Sequence, residues 1–304
     1  MKLSVFVVTY NQERYIRQCL DSIAMQKVNF DYEVIIGDDC SADGTAAICD
    51  EFARVVELEN EGVRELGKGL KSIEVYHHPK NVGLLKNWEF VMNKCKGEYI
   101  ALIEGDDYWI DEHKLQRQVD WLDAHPDYTL TFTRAEIQYE NGAEENGAEK
   151  DLPYLEEREY SVQEICRDFR VLSSSVVMRN CLQPIHYSDQ LLYADTYTFI
   201  ELCKRGKAYC FGVPTVKYRI HKQNLSYNGD WDFYVHSYNQ CKLFNRIYPE
   251  LRMVYEPRLE HSLEHLLYNK EKSLKYRIAY MKRHPRLIFS RFMLKTIKTY
   301  LLKL

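Results

Sequence analysis

The chain has 304 residues, of which 45% are hydrophobic and 28% are charged, with 24 tyrosines, 8 prolines and 13 glycines. This length and composition predict a soluble folded protein with one large domain, and they exclude a disordered, collagen-like or linker-rich chain. The formal net charge of −4 conceals a basic C-terminal part, because residues 270–304 contain eleven Lys and Arg against one Glu. We therefore expect an anionic partner for that part.

The cysteines predict free thiols. There are nine, an odd number, and none forms a CxxC pair. This usage is typical of a reducing compartment. No charged and then apolar leader precedes the first apolar run, and that run is shorter than the roughly 20 residues of a membrane helix. The sequence therefore predicts a cytoplasmic protein.

Strand and helix patterns alternate four times in the first half of the chain. The helical pattern is clearest where Ile16, Cys19, Leu20 and Ile23 recur at intervals of three and four residues. Such alternation predicts an α/β fold, a mostly parallel central sheet flanked by helices and joined by right-handed crossovers. The predicted strands are residues 3–8, 32–37, 72–78 and 99–105.

The second half begins with a mixed pattern and ends with helices. The acidic duplication "ENGAEENGAE" at 140–149 predicts a solvated loop or, alternatively, a lid that orders on ligand binding. From about residue 230 one helical pattern follows another, so we expect a domain at 1–228 and a basic helical region at 229–304. The patterns between them predict strands at 128–135 and 173–179, a helix at 196–206, and a strand, turn and strand at 208–221.

Polar residues follow each of the first four predicted strands. In doubly wound sheets, ligands bind beyond the carboxyl ends of the strands. One such cluster suits a turn, but four together favour a ligand cleft. The residues in question are Thr9, Tyr10, Asn11, Glu13, Asp38, Asp39, Asn81, Gly83, Glu104, Asp106 and Asp107.

The carboxylates of "EGDD" predict a divalent metal site. In an extended segment Glu104 and Asp106 face one side, Asp107 faces the other, and Gly105 between them allows close approach. Hard oxygen ligands of this kind suit Mn²⁺ or Mg²⁺, whose shell is usually completed by water and substrate phosphates.

Five segments occur in the order, and at about the spacing, of a known enzyme family. Over roughly residues 1–228 the sequence resembles the large inverting glycosyltransferase family two, which has the GT-A nucleotide-diphospho-sugar transferase fold. A bacterial subgroup with "EGDDYW" as its metal motif is especially similar. The segments are "VVTYNQERYIRQCLDSI", "VIIGDDCSADGT", "NVG", "KGEYIALIEGDDYW" and "YRIHKQNLS".

The resemblance implies a nucleotide side of the cleft. Thr9, Tyr10, Asn11 and Glu13 would line the nucleotide base, and Asp39 would bind the base or ribose. Lys86 is the candidate for a phosphate contact, with plain solvent exposure as the alternative. It is considered because Trp88 and Glu89 occupy the positions of the family's common Arg-Asn pair.

The resemblance also implies a metal side. Glu104 replaces the first Asp of the family's DxD motif and would face the ribose or a metal-bound water. Asp106 would bind the metal directly, and His221 would help to hold the metal or the diphosphate. Asp107 and Trp109 would support the loop or the acceptor.

The family places its catalytic base in an acidic pair at the start of a late helix. Only Asp195 matches here, because Ala194 occupies the other position. Asp195 is the predicted base, a first-turn helix residue is the structural alternative, and Asp189 is the second candidate.

The implied activity is metal-dependent, inverting transfer of a sugar from a nucleotide-diphosphate donor, with UDP expected, to a glycan or lipid-linked acceptor of bacterial surface polysaccharide. Two alternatives stay open. A sugar-phosphate nucleotidylyltransferase should have a Gly-rich loop after the first strand, and "TYNQERY" lacks one. A non-catalytic sugar-nucleotide binder would keep the cleft without turnover.

Residues 286–304 predict a basic amphipathic helix. Such a helix can contact an anionic membrane surface from the cytoplasmic side, or it can pack on the body or on a second subunit of a homo-oligomer. No motif for nucleic-acid binding accompanies the charge. His261, Glu264 and His265 fit a short zinc-protease pattern, but short patterns recur by chance in charged helices.

Overall fold

The structure is a computed structural model of the chain. The chain divides into two compact units, residues 1–189 with 193–227 and residues 190–192 with 228–304. The predicted helix at 286–304 lies outside the described residues, and so does the predicted loop at 140–149 except for Glu140. The structure describes residues 1–60, 69–140, 154–166, 171–191, 193–221, 224, 231–267 and 274–283.

A central sheet organises the first unit. Its order is β3-β2-β1-β4-β8-β6-β9-β5, and β7 also pairs with β9. Strands β3, β2, β1 and β4 run parallel, which confirms the predicted α/β class with a mostly parallel sheet. The strands among the described residues are β1 (Leu3–Thr9), β2 (Tyr32–Asp38), β3 (Leu70–His77), β4 (Tyr99–Glu104), β5 (Tyr108–Trp109), β6 (Tyr128–Tyr139), β7 (Arg158–Tyr160), β8 (Val177–Arg179) and β9 (Lys207–Ile220).

Helices cover the sheet. All seven residues of β1 and of β2 are buried, as expected for parallel strands with both faces covered. The helices of the first unit are α1 (Ile16–Ala24), α2 (Thr45–Asn60), α3 (Leu84–Lys94), α4 (Lys114–Ala124), α5 (Val162–Cys166) and α6 (Ala194–Cys203).

The two faces of β1 pack against different partners. Leu3, Val5 and Val7 belong to a core cluster that also contains residues of α1 and α2. On the other face, the ring of Phe6 lies 4.6 Å from that of Trp88 in α3. Trp88 is 3% exposed, so its side chain contributes to the core on this face of the sheet.

Two predicted elements differ from the structure. Residues 173–175 form a 3₁₀ turn rather than the start of the strand, because their hydroxyls bond to neighbouring groups. The predicted strand, turn and strand at 208–221 is the single strand β9. Its register with β6 slips, since Thr133 pairs with Phe211 and the next residue, Arg134, pairs with Pro214. This irregularity accommodates the proline inside the strand.

The second unit is helical where it is described. Its helices are α7 (Trp231–Ile247), α8 (Arg252–Leu267) and α9 (Leu274–Arg283). The rings of Phe244 in α7 and Tyr255 in α8 lie 4.9 Å apart in its core. Across the helices of the described ranges, none is both long and apolar enough to cross a membrane. The nine cysteines all lie within the described residues, and no disulfide joins any of them there.

Candidate active site

The carboxyl ends of the parallel strands meet at one rim. Thr9 of β1 pairs with Asp38 of β2, which in turn pairs with His77 of β3. On the other side of β1, Val8 pairs with Glu104 of β4. The polar residues that follow these strands therefore lie near one another, as the rule for doubly wound sheets predicts.

The loops after β1 and β2 are tied together by side chains. The backbone N–H of Asn11 donates to Ser41 Oγ at 2.8 Å, and Asn11 Oδ1 accepts from the N–H of Ala42 at 2.8 Å. Glu13 Oε2 accepts from the N–H of Gly44 at 2.7 Å. Two residues predicted to contact the nucleotide base thus also hold the neighbouring loop in place.

The other two predicted base contacts have contrasting environments. Thr9 is buried, and its hydroxyl donates to Gln12 Oε1 at 2.8 Å. Tyr10 is 47% exposed. An exposed phenol ring at the rim is suited to stack on a planar ligand, because aromatic faces prefer such offset contacts.

Asp39 shapes the loop before α3. Its two carboxylate oxygens accept from the backbone N–H groups of Val82, at 2.7 Å, and Gly83, at 2.9 Å. Gly83 has a φ of 86°, a conformation that favours glycine. The predicted contact of Asp39 with base or ribose would therefore accompany a structural role.

Lys86 lies on the first turn of α3 and forms an ion pair with Asp189. Lys86 Nζ is 3.2 Å from Asp189 Oδ1, and the two side chains are 50% and 84% exposed. Both predicted residues are thus at the surface of the first unit, and water screens their interaction.

The carboxylates of "EGDD" do not alternate as an extended segment would, because residues 105 and 106 form a turn. Glu104 Oε1 accepts from Ser173 Oγ at 2.5 Å, and Asp107 Oδ2 accepts from Ser174 Oγ at 2.6 Å. Two serines of one turn therefore hold the outer pair of carboxylates, and Asp106 has different partners.

Asp106 meets His221 at the end of β9. Asp106 Oδ2 is 3.0 Å from His221 Nε2 and 3.3 Å from Asn224 Nδ2. The His221 ring is 6% exposed and stacks on Tyr15, with the ring centres 4.9 Å apart. The structure thus brings together the two residues that we predicted as metal ligands.

Arg219 connects β9 to the carboxylate loop. Its guanidinium donates to the backbone carbonyl of Asp106, and its backbone N–H donates to Asp107 Oδ1 at 3.0 Å. The side chain is buried, and its Nε lies 3.3 Å from Glu140 Oε1. This buried positive charge partly offsets the acidic residues around it.

Asp195 lies in the first turn of α6, where the sequence placed it. Its Oδ1 accepts from the N–H of Thr196 at 2.5 Å. Burial raises the pKa of Asp195, while the hydrogen bonds from Thr196 lower it. The charge of Asp195 acts on Tyr193 and on Glu104, so it lies near the "EGDD" loop.

Burial and neighbouring carboxylates raise the pKa values of Glu104 and Asp107. Burial, and then the charge of Asp106, raise the pKa of Glu104, while its hydrogen bond from Ser173 lowers it. The same two causes raise the pKa of Asp107, with the charge of Glu104 as a further contribution. Nearby like charges disfavour the ionised forms of these residues.

Trp109 is buried beneath the loop. It is 1% exposed, and its Nε1 donates to the backbone carbonyl of Ser174 at 2.9 Å. Lys114 Nζ lies 4.6 Å from the centre of the ring. Of the two roles predicted for Trp109, this position suits support of the loop.

The donor set at the end of β4 fits a hard divalent cation. Asp106 and His221 offer a carboxylate oxygen and an imidazole nitrogen, and Glu104 and Asp107 add negative charge that a cation would compensate. Within the described ranges, no group of three or more His, Cys, Asp or Glu side chains is arranged to hold a metal ion. Two ligands are nevertheless enough for Mg²⁺-like ions, which complete their shell with water and phosphates.

Sequence reasoning missed several of these residues. The sequence predicts a strand at Ser173 and Ser174, and it gives Asn224 and Tyr15 no role beyond their places in the quoted motifs. The run of three serines before an apolar strand was an available signal, since hydroxyl groups in turns commonly bond to nearby polar groups.

His261 and His265, in the second unit, are adjacent but engaged elsewhere. Their ring centres are 4.3 Å apart, and Tyr234 stacks on His265 at 4.1 Å. His265 Nδ1 lies 3.0 Å from the backbone carbonyl of His261. In this part of the described chain they do not form a zinc site with Glu264.

Proteins similar in sequence to this chain include one from Mycobacterium bovis and one from Staphylococcus aureus. A Mycobacterium bovis protein described as uncharacterised is 34% identical over 228 residues, which is 73% of this chain and 60% of that protein. TarS of Staphylococcus aureus, a poly(ribitol-phosphate) β-N-acetylglucosaminyltransferase, is 31% identical over 126 residues, which is 41% of this chain and 19% of TarS. The chain therefore matches less than two thirds of either relative's length.

Solved structures share the fold. Residues 1–349 of S. aureus TarS in complex with UDP superpose with a TM-score of 0.61 at 20% identity, covering 90% of this chain and 74% of that one. A mannosyltransferase from Pyrobaculum calidifontis, in complex with GDP-mannose and Mn²⁺, gives a TM-score of 0.57 at 14% identity and covers 98% and 84%. These likenesses confirm the GT-A type of α/β fold.

One family accounts for the strands, the rim and the carboxylate loop together. Residues 4–177 match the family described as Glycosyl transferase family 2. This match includes β1 to β4, the "EGDD" loop and the serine turn, and it covers more than half of the chain. The chain belongs to glycosyl transferase family 2.

Proposed function

We propose that the chain is a metal-dependent inverting glycosyltransferase of the "EGDDYW" subgroup. It transfers a sugar from a UDP-sugar donor to a hydroxyl of a glycan or lipid-linked acceptor in bacterial surface polysaccharide synthesis. The observation that carries this proposal is the pairing of Asp106 with His221 at the carboxyl end of β4, with Asp195 near the same loop. The relative TarS, which acts on poly(ribitol-phosphate) and has a structure with UDP, supports the polymer and donor classes.

In this proposal Asp195 is the base. Its carboxylate accepts the proton of the acceptor hydroxyl as the oxygen attacks the anomeric carbon from the face opposite the nucleotide diphosphate. Thr196 holds one of its oxygens through the backbone N–H, which orients the carboxylate. The configuration at the anomeric carbon is inverted by this single displacement.

Asp106 and His221 hold Mn²⁺ or Mg²⁺ in this proposal. When bound, such an ion stabilises the negative charge on the departing diphosphate. Asn224 and Arg219 keep Asp106 in position, since Asn224 donates to its carboxylate and Arg219 donates to its backbone carbonyl.

The remaining predicted residues bind the donor. Tyr10 stacks on the base, and the interlocked loops that contain Asn11, Glu13 and Asp39 shape the base and ribose pocket. Lys86 leaves its ion pair with Asp189 and contacts a donor phosphate instead. The remaining oxygen of Glu104 faces the ribose or a water, Thr9 lines the base end, and Asp107 and Trp109 support the loop.

The test is donor hydrolysis and binding by the full chain with a panel of nucleotide sugars and Mn²⁺. We expect a UDP-sugar to raise the melting temperature, since a ligand of the native state stabilises it, and to be hydrolysed. Asp195→Asn should abolish turnover and keep the thermal shift, whereas Asp189→Asn, the matched control, should keep both.

Three outcomes would contradict parts of the proposal. Loss of turnover in Asp189→Asn but not in Asp195→Asn would transfer the role of base to Asp189. A thermal shift without any turnover would indicate a non-catalytic binder. Absence of both with every nucleotide sugar would overturn the proposal.

We also propose that residues 1–228 are the transferase domain and that the basic region at 229–304 makes peripheral contact with the cytoplasmic face of the membrane through 286–304. The excess of ten positive charges in residues 270–304 supports an anionic surface as the partner. Flotation with anionic vesicles should require residues 285–304. Equal recovery without them would instead favour packing on the body or on a second subunit.

A further inference from the structure

A turn of three serines lies against the carboxylate loop. Ser173, Ser174 and Ser175 are 7%, 0% and 0% exposed, so their hydroxyls are enclosed by protein. A buried hydroxyl needs a hydrogen-bond partner, and each of the three has a different one. Their partners are the side chain of Glu104, the side chain of Asp107 and the backbone carbonyl of Leu172, respectively.

We propose that Ser173 and Ser174 are positioning residues that give the three carboxylates of the "EGDD" loop different orientations. They hold Glu104 and Asp107 within the protein, so that Asp106 is the carboxylate directed to His221 and to the cation and diphosphate of the donor. This inference rests on the proposed function. Ser173 and Ser174 act through the carboxylates and do not themselves contact the substrate.

Asp107 and Glu104 differ in how many of their carboxylate oxygens accept hydrogen bonds from the protein. Asp107 uses both, because Oδ2 accepts from Ser174 and Oδ1 accepts from the backbone N–H of Arg219 at 3.0 Å. Glu104 uses Oε1 for Ser173, and within the part of the chain that the structure describes Oε2 has no hydrogen-bond partner, so we assign this oxygen to a ligand. Asp107 is thus committed to the protein, and Glu104 is oriented while one of its oxygens stays available.

The turn itself is anchored from below. The indole N–H of Trp109 donates to the Ser174 carbonyl at 2.9 Å, and Gln118 Nε2 donates to the Ser175 carbonyl at 3.1 Å. Trp109 and Gln118 are both buried. A turn fixed in this way can hold a site in its productive geometry before the ligand arrives.

Ser175 provides a matched control. It belongs to the same turn and is also buried, but its hydroxyl donates to the carbonyl of Leu172 at 2.7 Å and not to a carboxylate. Ser175→Ala therefore removes the same atom from the same turn. It differs from Ser173→Ala in that the lost hydrogen bond goes to a backbone carbonyl and not to the acidic loop.

The experiment measures donor KM, kcat and the UDP-induced thermal shift with Mn²⁺ in the full chain. We expect Ser173→Ala to raise donor KM and weaken UDP binding by about tenfold, the size expected for a hydrogen bond to a charged group. Ser174→Ala should have a smaller effect, since Arg219 still holds Asp107. Ser173→Thr, which keeps the hydroxyl, should restore most of the binding, and Ser175→Ala should stay within about twofold of the wild type.

A double-mutant cycle separates positioning from a merely structural role. If Ser173 acts through Glu104, Ser173→Ala should change UDP binding by less than about twofold in a Glu104→Gln background. Additive effects, or equal losses in Ser173→Ala and Ser175→Ala, would overturn this inference while the wild type remains an active transferase. A wild type that neither binds UDP nor turns over a donor would overturn the inference together with the proposed function.

Discussion

The nucleotide side and the metal side of the rim use their carboxylates differently. On the nucleotide side, Glu13 and Asp39 accept hydrogen bonds from backbone N–H groups of neighbouring loops. On the metal side, Glu104, Asp106 and Asp107 crowd together, and burial and then like charges raise the pKa values of Glu104 and Asp107. Acidic residues therefore stabilise the fold on the nucleotide side. On the metal side, their burial and mutual repulsion are unfavourable, and a bound ligand can offset this destabilisation.

The largest expected effect is that of Asp106→Asn. We expect turnover to fall by about 10²–10³, the usual loss when one charged or polar group of a catalytic site is removed. The melting temperature should stay the same or rise, because the variant removes one of the three crowded charges. Donor hydrolysis and thermal unfolding measure the two quantities. A marked loss of stability would contradict the contrast between the two sides.

Asp39→Asn is the same chemical change on the nucleotide side. The amide cannot accept both backbone N–H groups as the carboxylate does, which should cost about 1.5–3 kcal/mol of unfolding free energy. For a domain of this size the melting temperature should fall by roughly 3–10 °C, and turnover should fall less than in Asp106→Asn.

Asp31→Asn is the control for that experiment, because Asp31 is exposed and its ion pair with Lys71 spans 3.3 Å. An exposed pair contributes about 0–1 kcal/mol. Asp39→Asn would contradict the comparison if its melting temperature matched that of Asp31→Asn.

A third prediction concerns Lys114, which lies below Trp109 on the metal side. Lys114 is fully buried, donates to Gln118 Oε1 at 2.8 Å, and has its pKa lowered to about 7 by burial. Between about pH 7 and the unfolded-state pKa of about 10.4, the unfolded chain binds the extra proton, so wild-type stability rises with pH. Lys114→Met should therefore raise the melting temperature most at pH 6 and least at pH 10.

Lys27→Met, at an exposed lysine, is the control for the pH series. Its difference from the wild type should not change with pH over this range. A Lys114→Met variant with the same difference at pH 6 and pH 10 would show that Lys114 is not a buried charge that destabilises the metal side.

The smallest expected effect is that of Lys86→Ala. Its ion pair with Asp189 is exposed, so the melting temperature should not change measurably. If Lys86 contacts a donor phosphate, donor KM should rise a few-fold, and the rise should shrink at high ionic strength because salt screens exposed charges. An unchanged donor KM at low salt would contradict a contact between Lys86 and a donor phosphate.

Regular geometry explains what could be predicted from the sequence. Strand periodicity and the rule for carboxyl ends predict Glu104, Asp106 and Asp107 at one rim. The order of the motifs adds His221 to the predicted site, and in the structure His221 lies next to Asp106. Whether these residues act as proposed remains a prediction. Loop contacts could not be predicted, because they depend on three-dimensional packing of segments that are distant in sequence.

Two particular sites illustrate that limit. The hydrogen bonds that Asp39 accepts from Val82 and Gly83 cannot be predicted from the periodicity of hydrophobic residues in the sequence. The alternation expected for Glu104, Asp106 and Asp107 was wrong because the chain turns at residues 105 and 106. The serine turn likewise precedes a strand, and its hydrogen bonds to Glu104 and Asp107 come from a segment that is distant in sequence.

Strand β9 has a consequence for the order of events during synthesis. It is the last strand of the described sheet to leave the ribosome, yet it pairs with β6 and carries Arg219, with His221 directly after it. A nascent chain that ends before β9 therefore has the acidic loop without these partners, and one edge of β6 lacks its neighbour. Unpaired edges invite association with other chains, so completion of β9 protects the nascent domain as well as assembling its site.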